Sequence, residues 1–286
     1  MATLKSDPPP PTGTTAPSAF SFDALSPREV AERIEVLGVA KARLPLATML
    51  PLAVLAGAYI GFGSLFFLLV TSDASTSFVT GRLLGGFVFS LGLLTVVVAG
   101  AELFTGNHLL SMAWADGKLS GAEVLRNWTV VCLGNAMGAG LLALAVAWAD
   151  LGTLNGGRLA QQAVKVAAAK AELPADVALL RGVLCNVLVC LAVWMAAAGR
   201  SVVDKAVAVV PPVTAFVALG FEHSVANFFY FPLAMLLEPT AAAAGLAAPG
   251  WGAVAGNLVA VVAGNLLGGS VLVAGVYWVA YRRAVR

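Results

Sequence analysis

Charged side chains are scarce in this sequence. They make up 11% of its 286 residues, where a soluble domain carries roughly 25%. With 59% hydrophobic residues and a mean hydropathy of +0.89, the chain is expected in a membrane. The net charge of +2 is too small and too scattered to attract nucleic acid. Histidine is scarcer still: the two present exclude a histidine-rich metal site. The three cysteines, Cys132, Cys185 and Cys190, all lie in apolar runs and read as small buried hydrophobes, not as a disulfide framework. No basic segment followed by an apolar one opens the chain, so no secretory signal is expected.

Long apolar runs take the place of charge. Residues 1–25, rich in Pro, Thr and Ser, read as a disordered cytoplasmic tail. Ser26 as cap, Pro27 at the first helical position and Glu29 closing a capping box predict an amphipathic helix over 26–45, on the membrane surface or plugging a pore. A span needs roughly 20 apolar residues. Leu46–Val70, Leu83–Ala113, Val124–Trp148, Leu179–Ala198, Val207–Leu237 and Trp251–Tyr281 qualify, giving a six-span pore domain over 46–283. The second and fifth runs are too long for one straight helix and carry polar residues near the middle, which predicts broken helices. Lys and Arg crowd the loops on the side of the termini, so both termini are expected in the cytoplasm, with the loop over 150–178 periplasmic.

Two motifs recur in order. AELFTGN at 101–107 and FEHSVAN at 221–227 share Glu-x4-Asn, pairing Glu102 with Glu222 and Asn107 with Asn227. LGNAMGAG at 133–140 and AGNLLGGS at 263–270 share Gly-Asn-x-x-Gly, pairing Asn135 with Asn265. Spans one to three (46–150) therefore repeat in spans four to six (179–283). An odd number of spans per copy inverts the second copy, the architecture of many channels and transporters. Non-helical backbone at membrane depth lines a cavity or is buried in protein, so the breaks mark a path through each subunit. Glu102 and Glu222 are expected to accept hydrogen bonds from the broken backbone. Asn135 and Asn265 read as helix-to-helix glue beside small glycines. His108 reads as a structural hydrogen-bonder. His223 reads as functional, because it is an ionisable residue at a break at membrane depth.

AELFTGN, LGNAMGA, LCNVLVCLAVWMA, GRSVVDKA, GFEHSVANFFYFP and GNLLGGSVLVAGVYW together resemble the formate/nitrite transporter family, over roughly Leu46 to Tyr281. The resemblance implies an all-α, aquaporin-like membrane protein: six spans in two inverted three-helix repeats, assembled as a homopentamer in the inner (plasma) membrane. It implies passage of small monovalent weak-acid anions, a monocarboxylate such as formate or nitrite, together with a proton. It matches His223 to the central pore histidine and Thr105 to the threonine that hydrogen-bonds it. It matches Leu103 and Phe104, with Leu93, to the cytoplasmic constriction, and Phe89 and Phe216 to the outer one. Lys170 matches a lysine at the periplasmic mouth, and Asn186 and Asn227 match asparagines near the pore. Motifs of the nitrite and formate branches are mixed, which leaves the anion open.

The residues give a mechanism beside the resemblance. A bare anion in an apolar constriction loses its hydration at great cost, while a neutral acid crosses cheaply. Histidine titrates near neutral pH, so His223 is placed to stabilise the anion as imidazolium or to hand it a proton. Glu222 stands beside it, and Lys170 gathers anions at the mouth. The alternative is an aquaporin-like channel for water, ammonia or hydrosulfide-type acids, although Asn-Pro-Ala is absent from the sequence. An enzyme is not expected, because one buried histidine with a few polar neighbours supplies no nucleophile–base set. No cofactor is expected.

Overall fold

The computed structural model describes residues 25–283. The tail expected over 1–25 lies outside the described residues, apart from Leu25. Helix α1 (Pro27–Ala42) starts at a complete capping box, with the Ser26 N–H donating to Glu29 Oε2 at 2.7 Å and the Glu29 N–H to Ser26 Oγ at 3.4 Å. Its buried face, Val30, Ala31 and Ile34, packs with Leu109, Met112 and Trp194. Burial of a Val or Ile side chain contributes about 1.5–3 kcal/mol. Polar contacts reinforce this seat. Glu35 is buried and pairs with Lys118 and with Arg282 Nε at 3.1 Å, while Asp116 Oδ2 pairs with Lys118 at 3.1 Å. Burial pulls the Lys118 ammonium down, but Glu35 and Asp116 outweigh it and hold the group above the ordinary lysine range.

The remaining helices are α2 (Leu46–Thr71), α3 (Phe78–Ala99), α4 (Leu110–Ala115), α5 (Gly121–Trp148), α6 (Arg158–Ala171), α7 (Ala175–Ala198), α8 (Val202–Ala218), α9 (Ser224–Ala241), α10 (Trp251–Leu266) and α11 (Val276–Tyr281). A π-helical stretch, Leu267–Gly275, joins α10 to α11 without a break. Among the described residues, five helical runs are long and apolar enough to cross a membrane: α2, α3, α5, α7 and the continuous Trp251–Tyr281. Their outer faces carry large exposed hydrophobics such as Phe62, Phe87, Leu133 and Val259, as lipid or an apolar partner surface demands. Helix α5 packs on α2, and α10 on α7, with backbones in close approach. A Cβ on Gly138 would overlap the Val54 carbonyl, and one on Gly268 the Val183 carbonyl.

The second and fifth apolar runs are each divided. Helix α3 stops at Gly100 (φ +81°), and a short 3-10 turn, Gly106–Leu109, leads into α4. Helix α8 stops before Gly220 (φ +73°), and α9 begins at Ser224. Both stops use a left-handed glycine, where a side chain would be strained. Both close the last turn with the same bond, Ala101 N–H to the Val96 carbonyl and Phe221 N–H to the Phe216 carbonyl, each 3.0 Å.

Candidate functional site

Two asparagines tie the backbone freed at these stops to a neighbouring helix. Asn135 Nδ2 donates to the Ala53 carbonyl (2.7 Å) and the Glu102 carbonyl (2.9 Å), and its Oδ1 accepts from Phe104 N–H (2.8 Å). Asn265 Nδ2 donates to the Gly182 carbonyl (2.8 Å) and the Glu222 carbonyl (2.9 Å), and its Oδ1 accepts from Ser224 N–H (3.0 Å). This corrects the expectation that the Glu102 and Glu222 side chains serve the broken backbone. An amide offers donors and an acceptor on one group, whereas an ionised carboxylate only accepts.

The carboxylates instead hold lysines. Lys41 Nζ, in the last turn of α1, lies 2.7 Å from Glu102 Oε1. Asn107 Nδ2 donates to Glu102 Oε2 (2.8 Å) and to Asn127 Oδ1 (3.0 Å), and Asn127 Nδ2 donates to the Lys41 carbonyl (3.2 Å). The second set is built alike. Lys170 Nζ, in the last turn of α6, lies 2.9 Å from Glu222 Oε1. Asn227 Nδ2 donates to Glu222 Oε2 (2.8 Å) and Asn257 Oδ1 (2.9 Å), and Asn257 Nδ2 donates to the Lys170 carbonyl (2.8 Å). Each buried carboxylate therefore has a cation and an amide, the condition under which a charge is tolerated away from water.

His223 is the N-cap of α9. Its Nδ1 accepts the Ala226 N–H at 3.1 Å, so the proton of the neutral ring sits on Nε2. Nε2 lies 3.0 Å from Thr105 Oγ1 and donates to it. The ring stacks on Phe216 (centroids 5.8 Å apart, 22° between planes), and Phe89 meets Phe216 edge-on at 5.8 Å.

One cavity reaches His223, and a second reaches Leu103 and Gly106, near Thr105 in the chain. One, of about 170 Å³, is lined by Lys170, Glu222, His223, Phe89 and Phe216, with Arg82, Arg181 and Tyr230. The other, of about 310 Å³, is lined by Lys41, Glu102, Asn107, Leu93 and Leu103, with Arg33 and Lys205. The structure thus brings His223, Thr105, Phe89 and Phe216 together, and sets Leu93 and Leu103 on the other cavity's wall. Phe104 lines neither cavity; its ring packs edge-on against His108 at 4.5 Å. Asn227 lines neither and serves Glu222. Asn186 lines neither and donates to the Thr105 carbonyl at 3.2 Å. Lys41, Asn127, Asn257, Arg82 and Arg181 escaped the motif reading. The repeat offered the missing signal, because each glutamate in it needs a cation. Among the described residues, no group of His, Cys, Asp or Glu is placed to hold a metal.

Residues 28–279 match the family model described as formate/nitrite transporter. The formate channel FocA of Escherichia coli (strain K12) is 38% identical over 277 residues, covering 92% of this chain and 96% of that protein. A probable formate transporter of Methanothermobacter thermautotrophicus is 36% identical, covering 90% of this chain and 97% of that protein. Among solved structures, a pentameric formate channel with formate bound superposes with a TM-score of 0.76 at 36% identity, covering 82% of this chain and 97% of that one. An ion channel described as of the FNT family superposes with a TM-score of 0.77 at 30% identity, covering 88% and 98%.

Proposed function

The chain belongs to the formate/nitrite transporter family, and from that premise we propose that it passes small monovalent weak-acid anions, formate and nitrite among them, across the inner membrane. The working unit is a homopentamer with one pore in each subunit. The pore is built from six spans in two inverted repeats, α2, α3–α4 and α5 against α7, α8–α9 and α10–α11. The paired Lys–Glu–Asn–Asn sets and the paired asparagine brackets support that symmetry. Both termini are cytoplasmic, so the cavity beside α1 opens inward and the cavity beside α6 outward.

One observation carries the reading: a cation-rimmed cavity reaches His223, and a second cation-rimmed cavity reaches Leu103 and Gly106 of the break that carries its partner Thr105. Lys170, Arg82 and Arg181 draw an anion in from one side, and Lys41, Arg33 and Lys205 from the other. Between them Phe89, Phe216, Leu93 and Leu103 admit little water, so the bare anion is penalised and the neutral acid favoured. His223 supplies proton transfer or charge stabilisation at that point. Either role needs a second proton on Nδ1, which breaks the bond from Ala226 N–H and opens the cap of α9. Cations at both mouths weigh against a channel for neutral solutes.

Purified protein in liposomes tests this. Formate and nitrite uptake above the protein-free rate is expected. Water or ammonia permeation with no flux of either anion defeats the proposal.

A further inference from the structure

The second histidine, His108, is buried behind the pore in the 3-10 turn that follows the first break. Its ring lies edge-on to Phe104 and to Trp128, with centroids 4.5 and 5.5 Å away. Its Nδ1 is 2.6 Å from Asn186 Nδ2, and its Nε2 has no partner. The same Asn186 nitrogen lies 2.7 Å from the Asn265 carbonyl and 3.2 Å from the Thr105 carbonyl, while Asn186 Oδ1 is unpartnered.

That nitrogen has two hydrogens and three good acceptors. When His108 Nδ1 is bare, it takes one hydrogen at 2.6 Å and the Asn265 carbonyl takes the other. The Thr105 carbonyl is then left to the weak donor Cys190 Sγ at 3.5 Å. When Nδ1 carries a proton it no longer accepts. Asn186 is then free to hold the Thr105 carbonyl. Thr105 in turn receives the His223 Nε2–H through its hydroxyl.

From this competition we propose that His108 is a positioning residue for the pore: the state of its Nδ1 decides whether Asn186 holds Thr105, and so how firmly Thr105 holds His223. The fold itself does not require the pair. Aligning the two halves on their asparagine brackets places Phe228 at the position of His108 and Gly57 at that of Asn186. The second break forms without a polar pair there. Cys190 on α7 meets the same Asn186 nitrogen as His108, His223 meets Thr105, and Lys41 and Glu102 meet each other and the side chain of Asn107, the residue before His108. Trp128 of α5 and Gly269 of the π-helical stretch present no charge.

The inference rests on His223 as the pore histidine, but part of its test does not depend on transport. The chain has two histidines, so ring-15N labelling gives two sets of signals by solid-state NMR in bilayers. His108→Phe removes the competitor, leaving Asn186 on Thr105; His108→Gln keeps an acceptor in place. In His108→Phe the His223 ring signals at neutral pH are expected to move, and the pH of half-maximal formate uptake to shift by about half a unit. In His108→Gln both are expected to stay near wild type. His223 signals and pH profile unchanged in His108→Phe overturn the proposal, as does an equal change in both variants. If His108→Phe does not assemble, His108→Gln decides alone, since a large His223 change there contradicts the competition. Wild type that carries no anion, with the His223 signals still moving in His108→Phe, defeats the proposed function and leaves this coupling standing.

Discussion

Thr105 Oγ1 lies 3.0 Å from His223 Nε2, joining two residues 118 positions apart. That one bond ties the break before α4 to the first turn of α9. The Ala226 N–H, bonded to Nδ1, fixes the proton of the neutral ring on Nε2, so the ring donates in this bond. The donor of the neutral ring is thus turned toward the Thr105 hydroxyl.

Loss of either asparagine bracket is expected to cost stability to a similar degree. Asn135→Ala and Asn265→Ala each strand one glutamate carbonyl and one N–H in buried surroundings, at roughly 1–3 kcal/mol for each stranded group, and each lose a further bond to a carbonyl inside α2 or α7. Thermal unfolding of the purified protein in detergent checks this. A wild-type melting temperature in either variant contradicts it.

The two lysines are expected to matter through their carboxylates. Lys170→Met leaves the buried Glu222 charge with only an amide, a loss of about 3–5 kcal/mol for a broken buried pair. Glu222→Gln in the same chain removes the stranded charge and should recover part of the melting temperature. Lys41→Met with Glu102→Gln should behave alike. A single Lys→Met variant as stable as wild type contradicts the role of these pairs.

These two sets show how far the sequence could be read. The Glu-x4-Asn and Gly-Asn-x-x-Gly motifs repeat at close range, so Glu102, Glu222, Asn107, Asn227, Asn135 and Asn265 stood out as related. The lysines did not, because Lys41 and Lys170 lie 61 and 52 residues from their glutamates, on short helices that share little beyond the lysine. His108 and Asn186 are 78 residues apart and have no counterpart pair in the other half, so neither spacing nor repeat joined them. The side-chain direction of Phe104 was equally hidden. A loop residue follows no helical period, and this one turns toward His108.

The seat of α1 is expected to depend on Glu35. Glu35→Ala leaves Lys118 and Arg282 without their shared buried carboxylate, and trypsin should then cut at the exposed Arg28 and Arg33 faster than in wild type. Because the Lys118 ammonium is held above its ordinary range, its contribution is full below the unfolded lysine value, about 10.4. It is lost as pH rises through the raised folded value. Wild-type cleavage should therefore stay slow at pH 7–9. Equal cleavage of wild type and Glu35→Ala at pH 7 contradicts this.

The most direct measurement follows lumenal pH and anion uptake together in liposomes of wild type and His223→Phe, which keeps the ring stacked on Phe216 but removes both nitrogens. Wild type is expected to move formate or nitrite with a proton, and His223→Phe to lose the proton-linked flux while remaining assembled. Undiminished proton-linked flux in His223→Phe contradicts the role of His223 as the point where anion and proton meet.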